Sequence, residues 1–134
     1  MSFVIDASVA ACWAFEDEDH PVASRALQLI RTEKARVPGL WWFELRNTLI
    51  VNERRQRIAE RAVSEFLRRL SSLDIDVDAA PGESRMLELA RRHRLTVYDA
   101  AYLELARREA IALATLDHKL ADAATAEQVP LIGN

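Results

Sequence analysis

Short apolar runs alternate with longer helical stretches along this chain, and that alternation constrains its fold more than any other feature. Phe3-Val4-Ile5 is an uncharged, β-branched run of the kind that fills a strand buried on both faces of a parallel sheet, and it closes on Asp6. Ala110-Ile111-Ala112-Leu113-Ala114 is a second such run, followed by Thr115-Leu116-Asp117. Val37-Pro38 is a brief extended piece, and Leu73 to Val77 alternates strictly, as a strand with one buried face does. Val129-Pro130-Leu131-Ile132 predicts a last short strand whose proline suits an edge or a strand start. Helical patterns fill the intervals: Ser8 to Phe15, Pro21 to about Lys34, Leu40 to Asn52, Ala59 to Leu70, Pro81 to about His93, Asp99 to about Arg108, and Lys119 to Ala124, with Leu95 to Tyr98 as a connector. Strands alternating with helices predict an α/β sandwich around a mostly parallel sheet of about four or five strands.

A length of 134 residues, half of them hydrophobic, fits one domain spanning residues 1–134, and three Gly with four Pro exclude a collagen-like or largely disordered chain. The apolar runs fall short of the roughly 18 residues of a membrane span. The opening MSFVIDASVA has neither the basic region nor the small-residue cleavage site of a secretory leader. The single cysteine, Cys12, has no partner for an internal disulfide. Together these features lead us to expect a cytoplasmic protein with no membrane association. A net charge of −3 argues against a module that grips nucleic acid over a broad basic surface. Sixteen of the 18 basic residues are Arg, which suits phosphate or carboxylate partners and equally a codon bias toward Arg.

Most of the 21 acids fall in loops or on charged helix faces, and four do not. Asp6 and Asp117 end buried-strand patterns, Asp99 opens a helix inside Thr96-Val97-Tyr98-Asp99-Ala100-Ala101-Tyr102, and Glu44 stands within Leu40-Trp41-Trp42-Phe43-Glu44-Leu45. In an open α/β sheet, ligands bind beyond the carboxyl ends of the parallel strands, where strand ends and helix starts meet. Glu44 lies at the border of its helix's apolar face and can look toward the same edge. Two carboxylates about 5 Å apart repel by roughly 3 kcal/mol at an effective dielectric near 20. Four that converge must therefore take up protons or bind a cation. Oxygen donors select hard divalent cations, Mg²⁺ or Mn²⁺, which keep coordinated waters suited to hydrolysis. Each acid also has a plainer role open to it: Asp6, Asp99 and Asp117 as helix N-caps, Glu44 bonded to Arg46 or to loop backbone.

At these residues the chain resembles the PIN-domain nucleases, and among them the VapC-type toxins of toxin–antitoxin pairs. The matching segments are VIDASV, VPGLWWFELRNTL around Glu44, LTVYDAAYLELA around Asp99, ATLDHKLADAA around Asp117, and the closing VPLIG. The four segments around the acids, in order across nearly the whole chain, carry the resemblance, and the closing VPLIG adds to it. It implies a three-layer α/β/α sandwich and a metal-dependent endoribonuclease that cleaves RNA phosphodiesters with water, leaving a 5′-phosphate and a 3′-hydroxyl. It also implies Asp6, Glu44, Asp99 and Asp117 as catalytic residues and ligands of Mg²⁺ or Mn²⁺, Asp6 and Asp99 foremost. Ser8 and Thr115 match assisting hydroxyl positions. Some relatives carry a further acid after the fourth; Asp122 is the nearest here, so the number of metals stays open. A cognate antitoxin and a homodimer are implied as partners, with Trp41-Trp42-Phe43 as a patch for either.

Taking the four carboxylates out of the count moves the net charge from −3 to +1, so RNA affinity would rest on local Arg groups and shape. Arg46, Arg54, Arg55 and Arg57 are candidate contacts or ordinary surface charge. His20, His93 and His118 are too scattered for a zinc site. The tryptophans are open to stacking RNA bases but read better as core packing or a protein interface, and Tyr98, Tyr102 and Cys12 read as packing residues. Two other classes compete: a catalytically silent PIN-fold interaction module, and a phosphoryl-transfer enzyme of the receiver or aspartyl-phosphate type. The latter needs a second acid directly after the first strand, where this chain has Ala7 and Ser8.

Overall fold

The computed structural model describes residues 1–133. Its elements, in chain order, are β1 Ser2–Ile5, α1 Ala7–Cys12, α2 Pro21–Leu29, β2 Lys34–Pro38, α3 Leu40–Arg54, α4 Glu60–Leu70, β3 Ile75–Asp78, α5 Glu83–His93, α6 Val97–Glu109, β4 Ala112–Ala114 and α7 His118–Ala126. The four strands form an all-parallel sheet in the order β3-β2-β1-β4, with Phe3 opposite Ala35 and Ala112, and Ile5 opposite Ala114. This is the expected α/β/α sandwich.

The strand order determines where the helices lie. Passing from β1 to β2 and on to β3 moves the chain one way across the sheet, and β3 to β4 carries it back past β1. Parallel crossovers are right-handed, so α1 to α4 cover one face and α5 and α6 the other. Packing agrees: α6 lies on β1, β2 and β4 with α5 and α7 beside it, while α1 joins α2 and α3. Phe3, Val4 and Ile5 are consequently covered on both sides and buried. Trp13 in the turn after α1 donates its Nε1–H to the Ala23 carbonyl at 2.9 Å and ties α2 to that turn.

Three expectations are corrected. The predicted last strand at Val129–Ile132 is a single parallel bridge between Leu113 and Leu131. Pro130 has no N–H to extend the pairing, and its carbonyl instead accepts from Leu113 N. The helix expected from Asp99 starts two residues earlier, because Thr96 is the N-cap and its Oγ1 accepts from Asp99 N at 3.0 Å. The helix from Pro21 ends at Leu29, since Lys34 and Ala35 already pair with β1.

One acid overlooked in the sequence is also buried. Along α6 every residue from Ala100 to Ala106 is buried, Glu104 among them at 2 % exposure. Arg108, one turn on, meets Glu104 through Nε at 2.8 Å and Nη2 at 3.0 Å, and also reaches Asp78 at the end of β3. Arg36 on β2 joins Asp78 and Glu109 to the same network. The charge of Glu104 is thus paired inside the sandwich. Among the described residues no helix is long and apolar enough to cross a membrane.

Candidate active site

The sheet order reverses between β1 and β4, and in open α/β sheets the crevice beyond the carboxyl ends of such neighbours is where ligands bind. Asp6 and Thr115 occupy those two ends. Asp6 N donates to Ala114 O at 3.1 Å, which fixes the two chain ends side by side. The Asp6 side chain is 5 % exposed, and it caps α1: Oδ1 accepts from Val9 N at 3.1 Å and from Ser8 Oγ at 2.6 Å, and Oδ2 accepts from Thr115 Oγ1. Ser8 Oγ in turn accepts from Leu116 N at 3.2 Å, and Thr115 Oγ1 from Asp117 N at 3.0 Å. The two hydroxyls therefore lace the β1 and β4 ends together around one carboxylate.

Asp117 is the exposed N-cap of α7, with Oδ1 accepting from Lys119 N at 2.8 Å and Leu120 N at 3.2 Å. Asp99 sits in the first turn of α6, partly buried and not a cap. Glu44 comes from α3 on the opposite layer. Instead of turning to Arg46 or to loop backbone, its Oε1 accepts from the Tyr102 hydroxyl at 2.6 Å. Tyr102 is 1 % exposed and lies three residues after Asp99, so one turn of α6 supplies both an acid and the anchor of another acid. Burial pushes the Tyr102 hydroxyl up, and Glu44 reinforces this, so it stays a donor.

The charges act on one another. Burial raises the Asp6 carboxyl above its ordinary range; the bonds from Ser8, Thr115 and Val9 oppose this, and Asp117 adds to it. Asp99 is raised by burial and then by Asp117 and Asp6, with Lys119 partly offsetting. Glu44 is raised by burial, against the Tyr102 bond, with Asp99 and Asp6 contributing. The structure thus brings the four acids within electrostatic reach across two layers. Asp6, Glu44 and Asp117 are each held by their own hydrogen-bond donors, and among the described residues no three acidic, histidine or cysteine side chains close into a ready-made metal cage.

The donor set nevertheless fits a hard cation. All four groups are carboxylates, and the bonds to Glu44 and Asp117 each engage one oxygen, leaving the other to coordinate. Asp122 is exposed on α7. Of the candidate arginines, Arg57 holds Asn52 Oδ1 at 2.7 Å and pairs with Asp17 and Glu18, and Arg46 lies over the Trp42 ring at 3.9 Å. Cys12 is buried, with its thiol pushed up to about 12 by that burial. Tyr102 and Glu104 are the side chains whose roles sequence reasoning missed. A tyrosine one turn from Asp99, and an Arg four residues after Glu104, are the local traces of them, and neither reveals the Glu44 partner or the enclosure of α6.

The family model described as PIN domain matches residues 3–126. The chain belongs to the PIN-domain family. This PIN domain is 32 % identical over 126 residues to "Ribonuclease VapC3" of Pyrobaculum aerophilum, covering 91 % of this chain and 94 % of that one. Among solved structures it superposes on PAE2754 of the same organism with a TM-score of 0.72 at 23 % identity, covering 92 % of this chain and 84 % of the other. VapC20 of Mycobacterium tuberculosis, a sarcin-ricin loop cleaving toxin, gives 0.63 at 16 % over 90 % and 94 %. FitAcB of Neisseria gonorrhoeae gives 0.66 at 14 % over 97 % and 96 %. At these identities the three structures speak for the fold of the PIN domain.

Proposed function

We propose that this PIN domain is a divalent-metal-dependent endoribonuclease of the cytoplasm and the toxic member of a toxin–antitoxin pair. The observation that carries the proposal is Asp6: a carboxylate 5 % exposed, at the reversal of the sheet, bonded by hydroxyls and an amide, raised further by Asp117 and itself helping to raise Asp99. A buried acid stabilised only by neutral donors and crowded by like charge suits a cation and makes little sense as a structural ion pair. The substrate class and the toxin role follow from the likeness to Ribonuclease VapC3 and to VapC20, the sarcin-ricin loop cleaving toxin.

In this reading Asp6 and Asp99 are the principal ligands of Mg²⁺ or Mn²⁺, and Glu44 and Asp117 complete the set directly or through water. The ion, when bound, supplies an acidified water and shields the non-bridging phosphate oxygens. Ser8 and Thr115 hold Asp6 in place, and Tyr102 holds Glu44, so that both carboxylates face the crevice without rotating to solvent. Hydrolysis in line forms a bond from water oxygen to phosphorus and breaks the bond to O3′, leaving a 5′-phosphate and a 3′-hydroxyl. Trp41 of the expected patch is buried in the core, and the apolar face available to the antitoxin, or to a second copy of the chain, is the one where Trp42, Phe43 at 70 % exposure and Val77 stand out from the surface.

Asp6→Asn and Asp99→Asn each abolish both RNA cleavage and growth arrest while the circular dichroism of the fold persists, and excess EDTA silences the parent protein. Cleavage that survives EDTA overturns the metal role. Toxicity that survives either substitution instead favours the catalytically silent interaction module.

A further inference from the structure

Thr115 and Asp117 form one wall of a cleft whose other walls the proposed chemistry leaves unused. It measures ≈ 310 Å³ and opens between the start of α2, the end of β4, the first turn of α7 and the segment after Val129. The half-buried Val22, Leu116, Leu131 and Ile132 give it apolar surfaces. The outer wall is fixed rather than loose: Leu113 N donates to Pro130 O at 2.9 Å, and Ile132 N to Leu113 O at 3.0 Å.

Its polar groups are few. Thr115 and Asp117 line it and are already tied to Asp6 and to the first N–H groups of α7. His20 and His118 also line it, both exposed, and His20 precedes α2 without a side-chain bond to that helix. None of its described lining residues is Lys or Arg, and Asp117 is an acid, so its lining is poorly matched to a phosphate or a carboxylate. Apolar plates, imidazole rings and one rim carboxylate suit a flat, uncharged heteroaromatic group that stacks and offers ring N–H and C=O edges.

Contiguity decides which one. Thr115 forms part of the cleft while its hydroxyl bonds Asp6, so an occupant meets Asp117 directly and is one side chain away from Asp6. We infer that the cleft is a nucleobase subsite, taking the unpaired base of the nucleotide adjoining the phosphate held at the four acids. The inference rests on the proposed ribonuclease reading and deepens it. A base can enter only if it is free of pairing and stacking, so the protein selects single-stranded or looped RNA and reads base identity at one position beside the cut.

The test uses the full chain and two readouts. In the first, a randomised single-stranded RNA pool is digested with Mn²⁺ and the new 5′-phosphate ends are sequenced. The parent shows a base preference at one position flanking the cut, and Ala121→Phe or Ile132→Trp, which fill the cleft, lower that preference by about tenfold. In the second, ligand-observed NMR follows the four free nucleosides. Asp6→Asn still binds them, inorganic phosphate does not displace them, and both filling variants lose binding. Two variants on different walls guard against one that fails to fold. Mn²⁺-dependent cleavage with an unchanged base preference in both folded variants, or displacement of nucleoside by phosphate, overturns the subsite. Nucleoside binding without any cleavage leaves the subsite standing and overturns the ribonuclease reading.

Discussion

Thr115→Val tests how the acids are held. Valine keeps the shape of threonine and removes the hydroxyl, which donates to Asp6 Oδ2 and accepts from Asp117 N at 3.0 Å. Asp6 keeps Ser8 at 2.6 Å and Val9 N at 3.1 Å, so it loses one of three donors. A hydrogen bond to a charged group is worth about 1.5–3 kcal/mol. Thr115 is among the groups that oppose the upward push of burial on the Asp6 carboxyl. Without it the proton competes better with a cation for the same oxygen. Assigned wholly to metal binding, that energy is a loss of about 10–150-fold, and outer-shell partners of metal ligands typically account for about 10–100-fold. The metal-free fold loses less, because Asp6 can take up a proton instead of remaining an unpaired buried charge. Titration calorimetry with Mn²⁺ near neutral pH measures the effect, and Thr115→Ser, which retains the hydroxyl, should recover most of it. Mn²⁺ affinity of Thr115→Val within twofold of the parent, or Thr115→Ser as weak as Thr115→Val, refutes the reasoning.

Two further substitutions probe the other anchors. Tyr102→Phe removes the donor to Glu44 and leaves the ring packing intact, so RNA cleavage falls by about 10–100-fold with little change in melting temperature; an unchanged cleavage rate would remove Tyr102 from the site. Arg108→Ala leaves Glu104 buried without its cation and costs about 2–4 kcal/mol, less than the usual figure for a broken buried pair because Arg108 is about one-third exposed. For a chain of this size that is a drop of about 7–14 °C in a thermal melt, and Glu104→Met combined with Arg108→Met restores most of it. A melt shifted by less than about 2 °C for the single variant would mean Glu104 finds another partner.

What the sequence makes legible here is what depends on neighbours along the chain. Phe3-Val4-Ile5 and Leu113-Ala114 declare buried strands by their side chains alone, and Asp6 and Asp117 declare the helices that follow by their position just before them. The early start of α6 is also written locally, in Thr96 followed three residues later by Asp99, and the adjacent Leu95 to Tyr98 disguises it as a connector. The bond between Tyr102 and Glu44 is beyond local reading, since 58 residues and a whole sheet separate them. Glu104 escapes for a related reason. An acid on a helix reads as solvated unless that helix is enclosed on every side, and enclosure comes from α5, α7 and the sheet together. The shortened last strand is a third case: Pro130 is tolerable at an edge, but how little pairing it leaves depends on where Leu113 stands.

The acids of this protein divide by the direction in which their surroundings move them. Arg108 bonds Asp78 and, against the cost of burial, holds its carboxyl below the ordinary range. Burial likewise works against Glu127, yet bonds from His93 and Arg92 and the charges of Arg92 and Arg107 keep it low. By linkage these groups add stability that is present above their unfolded pKa and lost as pH falls through the folded one. Asp6, Glu44 and Asp99 are raised, so each instead subtracts stability once pH climbs past its unfolded value. Arginine is abundant in the chain, and the fold applies it at the end of β3 and beside α5, α6 and α7. At the β1 and β4 ends it places hydroxyls, a phenol and backbone amides, which orient carboxylates without neutralising them. A fold selected for stability alone would gain by moving one guanidinium across. Leaving the charge only partly offset, by Lys119 near Asp99, at the crevice where the sheet reverses direction keeps it available to a divalent cation, and through that cation to a phosphate.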